Sequence, residues 1–142
     1  MNVILSAHVL VFKKNQVLLV RHEKGAGHLT GVYGIPGGRI NENENFINAA
    51  SRELKEETGL IVEINDLREF PNNRYTALIK RKDGTTKKFT MTVFFTDKFS
   101  EKLKKYSETT PKWIFISQLS KINLLPNVKK AIFDAMRTFT TP

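Results

Sequence analysis

Gly38 to Leu60 reads GRINENENFINAASRELKEETGL. Asn45 suits the residue that caps a helix N-terminus, and Gly59 suits the left-handed residue that ends one. The run between them is therefore predicted helical. At about 100° per residue, Phe46, Ile47, Ala49, Ala50 and Leu54 fall on one arc, and Asn48, Ser51, Arg52, Lys55 and Thr58 on the opposite one. Such a helix is amphipathic, and its apolar side needs a core to face.

Glu53 and Glu57 break this pattern. Each points within roughly 20° of Phe46, into the apolar arc, where an unpaired carboxylate is costly. Glu56 lies at the arc's edge. A generic ELKEE string can also be a solvated charged face held by pairs such as Arg52 with Glu56. The charges here crowd the wrong face for that reading. Carboxylates forced together repel unless a cation joins them, and an all-oxygen donor set suits Mg²⁺ or Mn²⁺. Pro36-Gly37-Gly38 is read as a tight turn that stops the apolar run Val32 to Ile35. Glycine there would also let backbone approach a ligand. Glu44, just ahead of the helix, can swing back toward the cluster.

The spacing of Gly38, Glu44, Arg52, Glu53, Glu56, Glu57 and Gly59 resembles the box of the Nudix hydrolases, with the MutT-like members as the nearest pattern. Seven fixed identities at about 7% each give a chance match on the order of 10⁻⁶ for a chain this long, so composition alone does not explain the motif. The hairpin upstream, Val9 to Phe12 then Val17 to Val20, followed by GIPGG, keeps the order of elements seen in that family. The resemblance implies a mixed-sheet α/β/α sandwich of the Nudix type, an α/β fold. It also implies divalent-metal hydrolysis of a pyrophosphate bond. Glu53 and Glu57 would be the main metal ligands and Glu56 a further one. Glu44 would be a ligand or base, Arg52 would orient a glutamate, and Gly37 and Gly38 would shape the metal loop. Glu101 and Glu108 lie outside the box, and either could supply a general base. The sequence departs from the family pattern at Asn41, Asn43 and Tyr33, where members often carry glutamate, glycine and tryptophan. Asn43 can adopt the left-handed backbone that a glycine would.

At 142 residues, one domain spanning 1–142 is expected. The chain has no cysteine, which excludes disulfides and thiolate catalysis. Met1 to Phe12 lacks the basic start and cleavage site of a signal peptide and reads as a strand. No run is long enough to span a membrane, and a cytoplasmic location is expected. The net charge of +9 favours anionic partners generally, so it selects none.

Downstream, Leu60 to Ile64 reads as a strand. Tyr75 to Lys82 and Thr85 to Thr96 read as a hairpin turning through Asp83-Gly84 in a type I′ turn. Ser107 to Thr110 reads as a loop, Pro111 to Ile116 as a strand, and Pro126 to Phe139 as a helix with Val128, Ile132, Ala135 and Met136 inward. Arg74, Lys80, Arg81, Lys82, Lys87 and Lys88 are assigned to edge protection of the sheet. Arg21, Lys24 and Arg39 flank the site. Arg21 and Arg39, with Gly38, are the candidate substrate-phosphate contacts. His8, His22 and His28 have no metal-ligand spacing; His22 and His28 lie by the loop before Tyr33, where they could meet substrate, but solvation is the favoured expectation.

The expected substrate is a small nucleotide, first a nucleoside triphosphate cleaved by a MutT-like pyrophosphohydrolase. The alternatives are ADP-ribose or nucleotide sugars, dinucleoside polyphosphates, RNA 5′-pyrophosphate (less favoured) and nucleotide binding without hydrolysis. The molecule is expected to be a monomer or homodimer.

Overall fold

Burial on both faces of the first strand sets the architecture. The computed structural model describes residues 2–106 and 108–140. In it, β1 (Val3–Lys13) sends Ala7, Val9 and Val11 to one face and Leu10 and Phe12 to the other, as a period of two requires. Six strands follow: β2 (Gln16–His22), β3 (Tyr33–Gly34), β4 (Gly37–Arg39), β5 (Arg74–Lys80), β6 (Thr86–Thr96) and β7 (Thr109–Phe115). β1 runs parallel to β6, and the remaining strand pairs are antiparallel. The sheet is therefore mixed. Its order is β3-β2-β1-β6-β5, with β4 against the first half of β1 and β7 along β2.

Two helices cover opposite faces. α1 (Phe46–Thr58) buries Ala49, Ala50 and Leu54 against Val9 and Val11. α2 (Val128–Thr140) buries Ala131, Ile132 and Ala135 against Leu10 and Phe12. Each fully buried Leu or Ile contributes about 1.5–3 kcal/mol relative to exposure. The expected α/β/α sandwich is what these layers form. No helix among the described residues is long and apolar enough to cross a membrane.

Several local expectations need correction. Gly37 and Gly38 are not a turn: they form β4, paired with His8 and Ala7. Leu60 to Ile64 is not a strand. Leu60 and Val62 are buried against α1, but Ile61 finds a single bridge partner, Ser100, and Ile64–Asp66 is a 3₁₀ turn. The alternation there reflects burial without a neighbouring ladder. Thr58, assigned to the polar arc, is fully buried, its hydroxyl donating to Leu54 O at 2.7 Å. The hairpin tip has a positive φ at Gly84 (86°) but not at Asp83, so the turn is not type I′. Asp83 instead accepts from Thr85 N and Oγ1 at 2.9 and 2.6 Å. Thr109 and Thr110 belong to β7, because β2 offers them ladder partners in Arg21 and His22. Ser107 lies outside the described residues.

Candidate functional site

The site begins with the cap of α1. Asn45 Oδ1 accepts from Asn48 N at 2.9 Å, and Gly59 closes the helix at φ 85°. These two ends fix the helix register and turn Glu53 and Glu57 toward β4. The approach is close. Gly37 N donates to Glu57 Oε1 at 2.6 Å. A Cβ on Gly38 would collide with the Glu53 carboxylate, and one on Gly37 with Ala7 O and the His8 ring. Glycine is required at both positions by this packing, not by a turn. The loop ahead of the helix uses Asn43 at φ 65°, the left-handed backbone that asparagine tolerates.

Arg52 ties the acidic groups together. Its Nε and Nη2 grip Glu44 at 2.8 and 2.8 Å, and its Nη1 reaches Glu53 at 2.8 Å and Glu56 at 3.1 Å. Nη2 also donates to Arg39 O at 3.2 Å. Glu44 additionally accepts from Asn41 N at 3.0 Å. Arg52, and after it that amide, hold the Glu44 carboxyl down at about 2. A carboxylate so committed is a weak proton acceptor near neutral pH.

The other two inward carboxylates are pushed the opposite way. Burial, more than offsetting Arg52, raises Glu53. Burial raises Glu57 to about 8 against the Gly37 hydrogen bond, helped by the charges of Glu53, Glu108 and Glu56. Glu108, just before β7, lines an open cleft of about 320 Å³ with Glu53, Glu56 and Glu57. Its proximity could not be read from the sequence, because it depends on β7 pairing with β2. Glu101, the other acid outside the box, does not line this cleft.

These donors fit a hard divalent cation in kind. All are carboxylate oxygens, and Glu57 is strained by missing countercharge. Among the described residues no three acidic or histidine side chains already converge on one ion position. Arg52 Nη1 stands between Glu53 and Glu56. Binding would require those side chains to swing from the guanidinium toward Glu57.

Glu57 and Gly37 also border a second space, a cavity of about 180 Å³ on the α2 side of the sheet. Arg39 lines it, and so do all three histidines. The expectation of solvated histidines is wrong. His8 Nδ1 donates to Ile35 O at 2.8 Å and its Nε2 shares a hydrogen bond with Ser6 Oγ at 2.8 Å, and burial lowers His8, His22 and His28 alike to about 4. Arg21 stands apart from this lining. It pairs with Glu23 at 3.0 and 3.1 Å, and Thr110 Oγ1 joins the same carboxylate at 2.6 Å. At the hairpin tip, Arg81 Nε donates to Gly27 O, and Lys82 Nζ donates to Glu23 O and Lys24 O. These two cations hold the loop between β2 and β3, a role beyond edge protection.

The model of the NUDIX domain matches residues 4–136. Among curated relatives, the chain is similar to Nudix hydrolase 8 of Arabidopsis thaliana, with 37% identity over 65 residues. That alignment covers 46% of this chain and 18% of the relative. It is also similar to an 8-oxo-dGTP diphosphatase of Buchnera aphidicola, with 35% identity over 51 residues, covering 36% of this chain and 38% of the relative. The chain thus spans well under half the length of either relative. Among solved structures, a MutT NUDIX hydrolase from Burkholderia pseudomallei superposes with a TM-score of 0.78 at 17% identity. That match covers 94% of this chain and 98% of the other.

Proposed function

The chain belongs to the Nudix family, and from that premise we propose that it hydrolyses the pyrophosphate bond of a nucleoside di- or triphosphate derivative. The preferred substrate is a nucleoside triphosphate, cleaved in the MutT manner. One observation carries this reading: Glu53, Glu56, Glu57 and Glu108 border one cleft, and burial raises the two inward members. The partial similarity to an 8-oxo-dGTP diphosphatase supports the nucleoside triphosphate class.

Glu53, Glu56 and Glu57 would hold Mg²⁺ or Mn²⁺, beside the Gly37–Gly38 strand. A bound divalent ion supplies neutralisation of phosphate charge and acidification of water. The chain's own groups do the rest. Gly37 N fixes the Glu57 carboxylate, and Arg52 fixes Glu44 and, until metal arrives, Glu53 and Glu56. Arg39, exposed on the rim, attracts the phosphates. Glu108 takes the proton of the attacking water, since Glu44 is held by Arg52. The water oxygen bonds to phosphorus in line, and the bridging P–O bond breaks. A nucleoside monophosphate and the remaining phosphate-bearing group, pyrophosphate for a nucleoside triphosphate, leave as the products.

The test is chromatographic detection of hydrolysis products (nucleotides, pyrophosphate or ribose 5-phosphate) with Mg²⁺ over nucleoside triphosphates, ADP-ribose, dinucleoside polyphosphates and 5′-triphosphate RNA. Turnover of a nucleoside triphosphate that stops on chelation is expected. Saturable nucleotide binding with no release from any substrate would overturn the reading.

A further inference from the structure

Glu108 sits one residue outside its strand. β7 begins at Thr109, β2 ends at His22, and these two form the last pair of their ladder. Backbone just beyond the end of a ladder frays unless something holds it. Resting on the reading above, we propose that Glu23 is a positioning residue for the hydrolysis: it holds the start of β7 so that the Glu108 carboxylate stays at the attacking water.

Glu23 takes hold in two ways. Its amide donates to Glu108 O at 2.8 Å, which carries the pairing of β2 with β7 one residue past both strands. Its carboxylate reaches the same segment from the side. Side chains alternate along a strand, so Arg21 and Glu23 share a face, and Thr110 stands opposite Arg21. Thr110 Oγ1 donates to Glu23 Oε2 at 2.6 Å, and Arg21 Nε and Nη2 donate to the two carboxylate oxygens at 3.1 and 3.0 Å. Arg21, and after it Thr110, hold the Glu23 carboxyl down at about 2, so it remains an ionised acceptor through the neutral range.

The residue is itself anchored. Lys82 Nζ donates to Glu23 O at 3.0 Å and to Lys24 O at 2.6 Å, and Ala26 N donates to Glu23 O at 3.1 Å. The amide, carbonyl and carboxylate of Glu23 are all engaged. They join β7, the turn between β5 and β6, and the loop after β2.

Glu108 depends on this support. Among the described residues its carboxylate has no hydrogen bond or ion pair, whereas Glu44 is gripped by Arg52. Glu108 lines the acidic cleft, and its place there is set through its backbone. Exposed ion pairs add little to overall stability. The contacts of Glu23 with Arg21 and Thr110 therefore matter more for where Glu108 sits than for whether the chain folds. A catalytic group misplaced by about 1 Å can lose on the order of 10²-fold in rate.

The deciding experiment pairs amide hydrogen exchange with single-turnover hydrolysis of a nucleoside triphosphate, enzyme in excess, in Mg²⁺. Glu23→Ala removes the carboxylate clip, and Thr110→Val removes one of its donors while keeping a good strand residue. The amide at position 23, corrected for its intrinsic rate, should exchange about tenfold faster in either variant. The single-turnover rate should fall about tenfold in Glu23→Ala, and less in Thr110→Val. In a Glu108→Gln background, already slowed by roughly 10²–10⁴, Glu23→Ala should change the rate by less than about twofold, because the group it positions is gone. A tenfold loss in both backgrounds, or unchanged exchange at position 23 in both variants, overturns the proposal. So does a tenfold fall in Mn²⁺ affinity in Glu23→Ala, which would place its action on the metal ligands. Faster exchange in a protein that hydrolyses no nucleotide refutes the hydrolysis and upholds the hold on the Glu108 segment. Hydrolysis that Glu23→Ala leaves at the wild-type rate does the reverse.

Discussion

Replacing Glu57 by glutamine should raise the stability of the metal-free protein while abolishing turnover. Glu57 shifts from 4.5 to about 8 on folding. Between those values the native state holds a proton that the unfolded state releases, so stability is lost as pH rises from about 4.5 to about 8. At 1.36 kcal/mol per unit, the upper limit is about 3 kcal/mol at pH 7 and about 4 at pH 8. Glutamine carries no charge to desolvate and keeps an oxygen for Gly37 N. Urea unfolding in chelator at pH 5 and pH 8 would measure the difference. Glu57→Gln should be close to wild type at pH 5 and ahead by about 2–4 kcal/mol at pH 8. Saturating Mg²⁺ stabilises the wild type by mass action and should shrink or reverse the gap. A gap of the same size at both pH values would refute the claim that Glu57 is a buried carboxyl whose ionisation awaits a cation.

Four further outcomes follow from the same structure. Arg52→Ala removes the partner of Glu44, Glu53 and Glu56 and should cost about 1–3 kcal/mol in urea unfolding, with part recovered by Mg²⁺. Gly38→Ala should fold yet bind Mn²⁺ weakly in a titration, because its methyl occupies the Glu53 carboxylate position. Gly37→Ala, which meets backbone at Ala7, should instead lower the thermal midpoint. Burial lowers His8 from 6.5 to about 4. The native state then binds fewer protons than the unfolded chain across that window, so stability falls as pH drops from about 6.5 to about 4. His8→Asn should show a shallower acid loss than wild type in the same chelated buffers.

The helix and its acidic face were legible because both rest on local rules. Asn45 and Gly59 cap it, and 100° spacing carries Glu53 and Glu57 inward. The layered fold was legible through the box and the hairpin ahead of it, which together carry the family resemblance. What the sequence concealed is non-local. Gly37–Gly38 looks like a turn until β1 is seen to need a partner beside Ser6 to His8. Thr58 looks polar, but its hydroxyl finds Leu54 O within its own helix and needs no water. The histidines looked solvated because nothing local reveals the cavity that the loop from Glu23 to Val32 closes against β5 and β6. Glu108 joined the site through the pairing of His22 with Thr109, a contact between residues far apart in the chain.

Hydrolysis by this site requires its carboxylates to gather around a divalent ion. Mn²⁺ binding followed by EPR, with and without a non-hydrolysable nucleoside triphosphate, addresses it. Wild type should bind Mn²⁺ saturably and more tightly with nucleotide, and Glu53→Gln and Glu57→Gln should each weaken binding at least tenfold. Equal Mn²⁺ affinity in all three proteins would contradict the account.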